Sequence, residues 1–174
     1  MDKAKKCQQQ YIANVALKVN VKLGGINAIL EDSLFKNTRW MFIGGDISMP
    51  SPSALRLSPP PPSTAAMAAT YDKDCAAYTS VATMQDSTQA KIVNAKAMFR
   101  ELGDRYAERN NNSPPDRIIY YRDGTSEAEF KQLMEGEVQD LRATFPDAKI
   151  TVIVSIKRHH TRIFPGGPYG TKLG

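Results

Sequence analysis

Two β-rich apolar runs in this chain each reach an aspartate. "RWMFIGGDISM" (39–49) arrives at Asp46, and "RIIYYRDGTSE" (117–127) stops at Asp123, turns on Gly124 and opens into a helix-starting pattern. A carboxylate at the end of a buried strand is costly to desolvate unless something positive meets it. In open α/β sheets, sites form outside the carboxyl ends of strands, near the point where strand order reverses. Two carboxylates brought together there repel one another, and hard divalent cations relieve that repulsion. Paired cations about 4 Å apart would clamp the attacking and leaving oxygens of a phosphodiester displacement. The plainer reading is that Asp before Gly is a common turn pair, and for an isolated "DG" that reading wins. Two such aspartates at strand ends leave the cation and turn readings evenly placed.

The basic residues raise a second chemistry. His159 and His160 are adjacent, so on a strand they point to opposite faces and cannot easily share one metal ion. Lys157, Arg158 and Arg162 surround them, which favours phosphate contact over metal ligation, with a solvated basic strand end as the alternative. Lys18 and Lys22 lie four apart, so a helix carries both ammonium groups on one side; spacing alone reads as a solvated face. No serine or cysteine stands in a recognisable nucleophile motif. Trp40 and the tyrosines read as core or rim rather than as base-stacking platforms.

Composition narrows the classes. Over 174 residues, 23 Lys and Arg against 18 Asp and Glu leave a net charge of +5, which makes a polyanionic partner plausible without requiring one. Forty-one per cent apolar residues suffice for a real core in one domain or part of a larger one. Cys7 and Cys75 are far apart and lack metal-type spacing, so a disulfide framework is not expected and a reducing compartment is. No stretch reaches the roughly 18 apolar residues of a membrane helix. The start "MDKAKKCQQQ" lacks the apolar core of a signal peptide, so a soluble, intracellular chain without membrane contact is expected.

The elements that must position these residues follow from periodicity. Tyr11, Val15 and Val19 sit at helical spacing until Gly24-Gly25 ends the segment. "PSPSALRLSPPPPST" (50–64) is a proline-rich surface loop, because four consecutive prolines exclude helix and central strand. "TAAMAATY" and "AAYTSVATMQ", joined across "DKDC", predict a hairpin. From Gln89 a helix is expected, with Ile92, Ala95, Phe99, Leu102 and Tyr106 as its apolar stripe. After Asp123, the capping pattern Ser126 to Glu129 introduces one helix with Phe130, Leu133, Met134, Val138, Leu141 and Phe145 as its stripe. "KITVIVSI" is apolar enough to suggest a strand buried on both faces. The order predicts an α/β domain with a mixed sheet: an antiparallel hairpin, then parallel strands joined by right-handed helical crossovers. No internal repeat is visible.

"LKVNVKLGGIN", "FIGGDIS", "RIIYYRDGTSEAEF" and "VSIKRHHTRIFP", in this order and spacing, closely resemble the PIWI domain of eukaryotic Argonaute proteins, fungal members among them. The resemblance runs from about Gln10 to Pro165, and "YRDGTSE" with "KRHHTR" makes it specific. It implies a ribonuclease H-like fold, incomplete here, with residues 1–38 as a helical segment at the guide 5′-end pocket and 39–174 as partial PIWI domain. It implies a small guide RNA with a 5′ phosphate, pairing with target RNA, and in some members cleavage of that target with Mg²⁺ or Mn²⁺. It also implies docking of tryptophan-bearing partner peptides, and a cytoplasmic setting with the nucleus alongside. Position by position, Lys18 and Lys22 match lysines that grip the guide's 5′ phosphate. Asp46 and Asp123 match the two metal-binding aspartates, and Lys157, Arg158, His160 and Arg162 fall beside the guide backbone. Cleaving members carry a glutamate where this chain has Ala90, and neither Asp86 nor Glu101 is a convincing substitute. Their fourth site residue, His or Asp, would fall beyond residue 174, so the chain reads as a fragment whose own slicing is doubtful. The alternatives are an active endoribonuclease that recruits another acid, and a non-catalytic protein-interaction module.

Overall fold

The computed structural model describes residues 3–31, 37–123 and 129–156. Helix α1 (Lys3–Lys22) opens the chain and stops at Gly24, whose φ of 85° only glycine adopts freely. Strand β1 (Trp40–Ser48) leads through a loop containing a short 3₁₀ turn (Ala54–Arg56) to the hairpin of β2 (Ser63–Thr70) and β3 (Tyr78–Gln85). Helix α2 (Ala95–Arg109), strand β4 (Arg117–Asp123), helices α3 (Phe130–Glu135) and α4 (Glu137–Thr144) and strand β5 (Lys149–Ser155) complete it.

The sheet runs in the order β3-β2-β1-β4-β5. β1 is antiparallel to β2, β2 antiparallel to β3, and β1–β4 and β4–β5 are parallel. This is the mixed α/β sheet expected from the sequence. α2 and the α3–α4 pair connect the parallel strands, since a parallel return needs a crossover.

Register fixes two faces. Met41 pairs with Ile118 and Ile43 with Tyr120, and all four are buried with Ala65, Met67 and Ala69 of β2 beneath the helices. Met98, Phe99, Leu102 and Tyr106 of α2 close this core, and the Phe99 ring meets the Tyr120 ring edge-on at 5.4 Å. Gly103 lets α2 and α4 approach, since a Cβ there would stand 2.8 Å from the Phe145 ring. The opposite face carries Phe42, Gly44, Asp46, Tyr121, Asp123 and Ile153, alternating with the core residues along the same strands.

Four expectations need correction. α2 begins at Ala95 rather than Gln89; Ile92 is buried but lies in the preceding loop. The second helix is two, broken at Gly136, whose φ of −107° and ψ of −96° leave the helical region. Phe130 and Met134, assigned to its apolar stripe, are exposed. β5 is not buried on both faces: it alternates, with Ile150 and Val152 against the core and Ile153 exposed. Strong apolarity could not separate a doubly covered strand from one covered on a single side. Ser126 of the expected capping box lies outside the described residues, and Glu129 makes no side-chain cap bond. Among the described residues no helix is long and apolar enough to cross a membrane.

Candidate metal centre and its buried support

Gly45 pairs with Arg122 across the parallel β1–β4 ladder, so Asp46 and Asp123 occupy the next position along adjacent strands. Strand alternation puts both on the face away from the helices. Both line one open cleft of about 440 Å³. Its floor is made of small residues, Gly44, Ala66, Ala68 and Ser80, and a Cβ added at Gly44 would meet nothing within 4 Å. Ser155, paired with Asp123 across β4–β5, brings a hydroxyl to the rim. Asp46 is exposed, and its Oδ1 accepts the Ile47 amide at 2.8 Å.

Hard divalent cations take oxygen ligands, so the donor chemistry here suits Mg²⁺ or Mn²⁺. The donor count is low: among the described residues no group of three or more His, Cys, Asp or Glu comes together. The acids considered as substitutes are engaged elsewhere. Asp86 Oδ1 accepts the Thr88 amide at 2.8 Å and the Thr88 hydroxyl at 2.6 Å in a turn, bonds that hold its carboxyl below the usual range. Glu101 accepts Arg105 Nη2 at 2.6 Å one turn along α2. Neither lines the cleft of Asp46 and Asp123.

The residues that sequence reasoning missed lie just beneath. Arg122 and Glu137 are buried, with side chains 5% and 1% exposed. Glu137 Oε2 accepts Arg122 Nε at 3.0 Å and the Tyr120 hydroxyl at 2.7 Å, while Oε1 accepts the Ile92 amide at 2.8 Å. Arg122 Nη1 donates to the carbonyl of Asp123, and Nη2 to the carbonyl of Ala90 at 3.2 Å. A buried ion pair must satisfy its remaining donors and acceptors to offset desolvation, and this one does so through four further bonds. Burial first, then the Glu137 charge and bond, raise the pKa of the Tyr120 phenol, which stays a neutral donor. Gly45 is required here, since a Cβ would stand 2.7 Å from the Tyr120 hydroxyl. A signal existed: Arg122 shares the core parity of Ile118 and Tyr120, and Glu137 lies on the stripe of Leu133 and Leu141. Opposite charges on two facing apolar surfaces announce a buried pair.

Lys18 and Lys22 are both exposed on α1 and do not line the acidic cleft. Lys157, Arg158, His160 and Arg162 lie outside the described residues. Of the expected site residues, the structure therefore brings Asp46 and Asp123 together and leaves Lys18 and Lys22 apart from them. Trp40 is a rim residue, stacked on Phe42 with centroids 6.1 Å apart and lying under the Arg117 guanidinium.

Comparison with known proteins agrees with this geometry. The Piwi domain family matches residues 1–170. Argonaute 3 of rice is 40% identical over 168 residues, covering 92% of this chain and 15% of the rice protein. Argonaute-2 of Drosophila melanogaster is 35% identical, covering 96% of this chain and 14% of its own length. Among solved structures, Kluyveromyces polysporus Argonaute with a guide RNA superposes with a TM-score of 0.75 at 25% identity, over 91% of this chain and 19% of that one. The C-terminal lobe of a budding yeast Argonaute gives the same score and identity, over 91% and 34%. The chain thus spans only about a seventh of the curated relatives' length. With its ribonuclease H-like sheet, its paired strand-end aspartates and a family match over nearly its whole length, the chain belongs to the Piwi domain family.

Proposed function

We propose that this chain is the sheet portion of a small-RNA-guided silencing protein, one that binds a guide RNA and pairs it with target RNA without completing target cleavage itself. The observation that carries this reading is the placement of Asp46 and Asp123 at one open strand-end cleft in a chain of this family. In it, Asp46 and Asp123 would hold Mg²⁺ or Mn²⁺ beside an RNA phosphate. When bound, such a cation neutralises phosphate charge and orients the phosphodiester. Occupancy is weak, about millimolar, because two carboxylates leave most of the coordination to water and phosphate.

Residues 1–38 would serve the guide's 5′ end, with Lys18 and Lys22 on its phosphate and Lys157, Arg158, His160 and Arg162 along its backbone. The setting would be cytoplasmic, with the nucleus alongside. Each neutralised phosphate releases counterions, so RNA affinity should fall steeply with salt. Lys18→Ala with Lys22→Ala should weaken binding of 5′-phosphorylated RNA more than of 5′-hydroxyl RNA; equal losses would remove the 5′-phosphate assignment. Binding of tryptophan-bearing peptides without RNA affinity would replace this reading with a protein-interaction module.

Cleavage is tested with a 5′-phosphorylated guide and a complementary labelled target in Mg²⁺ or Mn²⁺. No guide-defined cut is expected, since Ala90 offers no carboxylate and Asp86 and Glu101 stand outside the cleft. Ala90→Glu alone should not bring cleavage, because among the described residues Asp46 and Asp123 are the only acids that line the cleft and no fourth ligand joins them. A single cut abolished by Asp123→Ala would overturn the non-cleaving reading.

A further inference from the structure

The connection from β1 to β2 is long for its task. Antiparallel neighbours can be joined by about two residues, and Ser48 already pairs with Thr64, yet residues 49–62 stand between the strands. Long connections in compact domains are commonly functional. This one adds nothing to the core: the 3₁₀ turn at Ala54–Arg56 has no buried residue, and Leu57 is 62% exposed. It does not line the aspartate cleft either. Its first half is tied to itself, the Leu55 amide donating to the Ser51 carbonyl and the Leu57 amide to the Ala54 carbonyl, both at 3.1 Å. At Leu57 the backbone extends, with φ −72° and ψ 157°, close to polyproline II. Four prolines follow, each with its φ fixed by the ring and no N–H to offer. Ser58–Pro59 is cis, and the ridge proper runs from Pro59 to Pro62. Pro59, Pro60 and Pro62 are exposed, and among the described residues no backbone amide donates to the carbonyls of residues 58–62.

Polyproline II has three residues per turn, so Pro59 and Pro62 share one edge of the ridge, about 9 Å apart. Arg56 precedes Pro59 by the same spacing, which gives the pattern R-x-x-P-x-x-P. It is the only charged residue between Asp46 and Asp72, it is exposed, and among the described residues no carboxylate pairs with it. We propose that residues 56–62 are a docking segment for an SH3-type domain, whose aromatic groove takes Pro59 and Pro62 and whose acidic end takes Arg56. A segment already near its bound conformation loses little entropy on docking. Tyr and Trp rings of such a groove bring O–H and N–H donors to the open carbonyls. A carboxylate at its end meets the guanidinium as a bidentate fork, and only one short turn has to open for Arg56 to reach it. The charge selects this partner among proline readers: grooves that require an aromatic ligand residue find none in 49–64.

The test titrates a set of purified SH3, WW and EVH1 domains, one at a time, into the isotope-labelled 174-residue chain. The amide resonances of Leu57 and Ser63 flank the prolines and report docking, and that of Ile43 in the core reports the fold. SH3 domains with an acidic groove end should shift Leu57 and Ser63 saturably and leave Ile43 unmoved. Arg56→Ala should weaken this binding about tenfold, the loss of a charge-assisted hydrogen-bonded pair. Pro62→Ala should weaken it severalfold, while Pro60→Ala, on another edge of the ridge, should change it little. These side chains lie outside the core and the cleft, so the variants should keep the native Ile43 resonance. The proposal is overturned if no SH3 domain of the set shifts Leu57 and Ser63, or if only WW or EVH1 domains do. Native affinity in Arg56→Ala, or equal losses in Pro60→Ala and Pro62→Ala, would overturn it as well.

Discussion

The two faces of this sheet treat charge in opposite ways. On the helix-covered face, Arg122 and Glu137 are buried and tied by hydrogen bonds to Tyr120, Ile92, Ala90 and Asp123. On the other face, one residue along each strand, Asp46 and Asp123 line a cleft floored by glycine, alanine and serine. The difference follows from solvent. A charge removed from water must recover its hydration from protein partners, which fixes it in one geometry. A charge left at a wet cleft keeps capacity to bind something else. The motif "YRD" thus places a structural charge and a site charge side by side, and strand alternation sends them to opposite surfaces.

Breaking the covered face should have the largest effect. Glu137→Ala leaves the Arg122 guanidinium buried without its counter-ion, which should destabilise by about 3–5 kcal/mol, read by chemical denaturation. Phe99→Ala should cost a comparable ~3–5 kcal/mol as a cavity in the core, and Leu133→Ala about 2–5 kcal/mol. Total stabilities are small enough that any of these changes could prevent folding. A folded Phe99→Ala/Leu133→Ala chain with unchanged melting would contradict the core assignment. Gly103→Ala and Gly45→Ala should each cost about 1–3 kcal/mol by overpacking, against the Phe145 ring and the Tyr120 hydroxyl respectively.

The open face should respond in the reverse sense. Asp46→Asn keeps an oxygen for the Ile47 amide, so stability should stay within about 0.5 kcal/mol while Mg²⁺ binding is lost. A large drop in melting temperature would mean that Asp46 is structural, and the contrast between faces would fall. The smallest effect belongs to the rim at the opposite strand ends, where Asp116 accepts the Arg39 amide at 3.0 Å and pairs with its guanidinium. The backbone bond first, then the guanidinium's bond and charge, lower the Asp116 pKa from 3.8. A depressed folded pKa contributes stability above the unfolded value that is lost as pH falls through the folded one. Its share should therefore be intact at pH 5 and disappear below about pH 4, and with both side chains near half exposed it should be under about 1 kcal/mol. Asp116→Asn should flatten that acid slope slightly; an unchanged slope would remove the pair from the account.

Much of this was legible beforehand in particular residues. The stripe Ala95, Phe99, Leu102, Tyr106 predicted the covered face of α2, and all four are buried. The acids of "FIGGD" and "YYRD" left a shared-site and a turn reading evenly placed, and both residues line one cleft. The break at Gly136 was missed because apolar spacing continues across it: Leu133, Val138 and Leu141 keep one stripe whether or not the helix is interrupted. The exposed face of β5 was missed because a run of Ile and Val reads the same with one cover or two.

The sequence by itself determined the order of the strands, the family and which strands carry an acid near their carboxyl ends, because periodicity and motif spacing are local properties of the chain. Only the tertiary structure decided that Asp46 and Asp123 stand on one face and that Arg122 finds Glu137. Each of those depends on register between segments up to about eighty residues apart, and a one-residue slip in the β1–β4 ladder would turn one aspartate into the core.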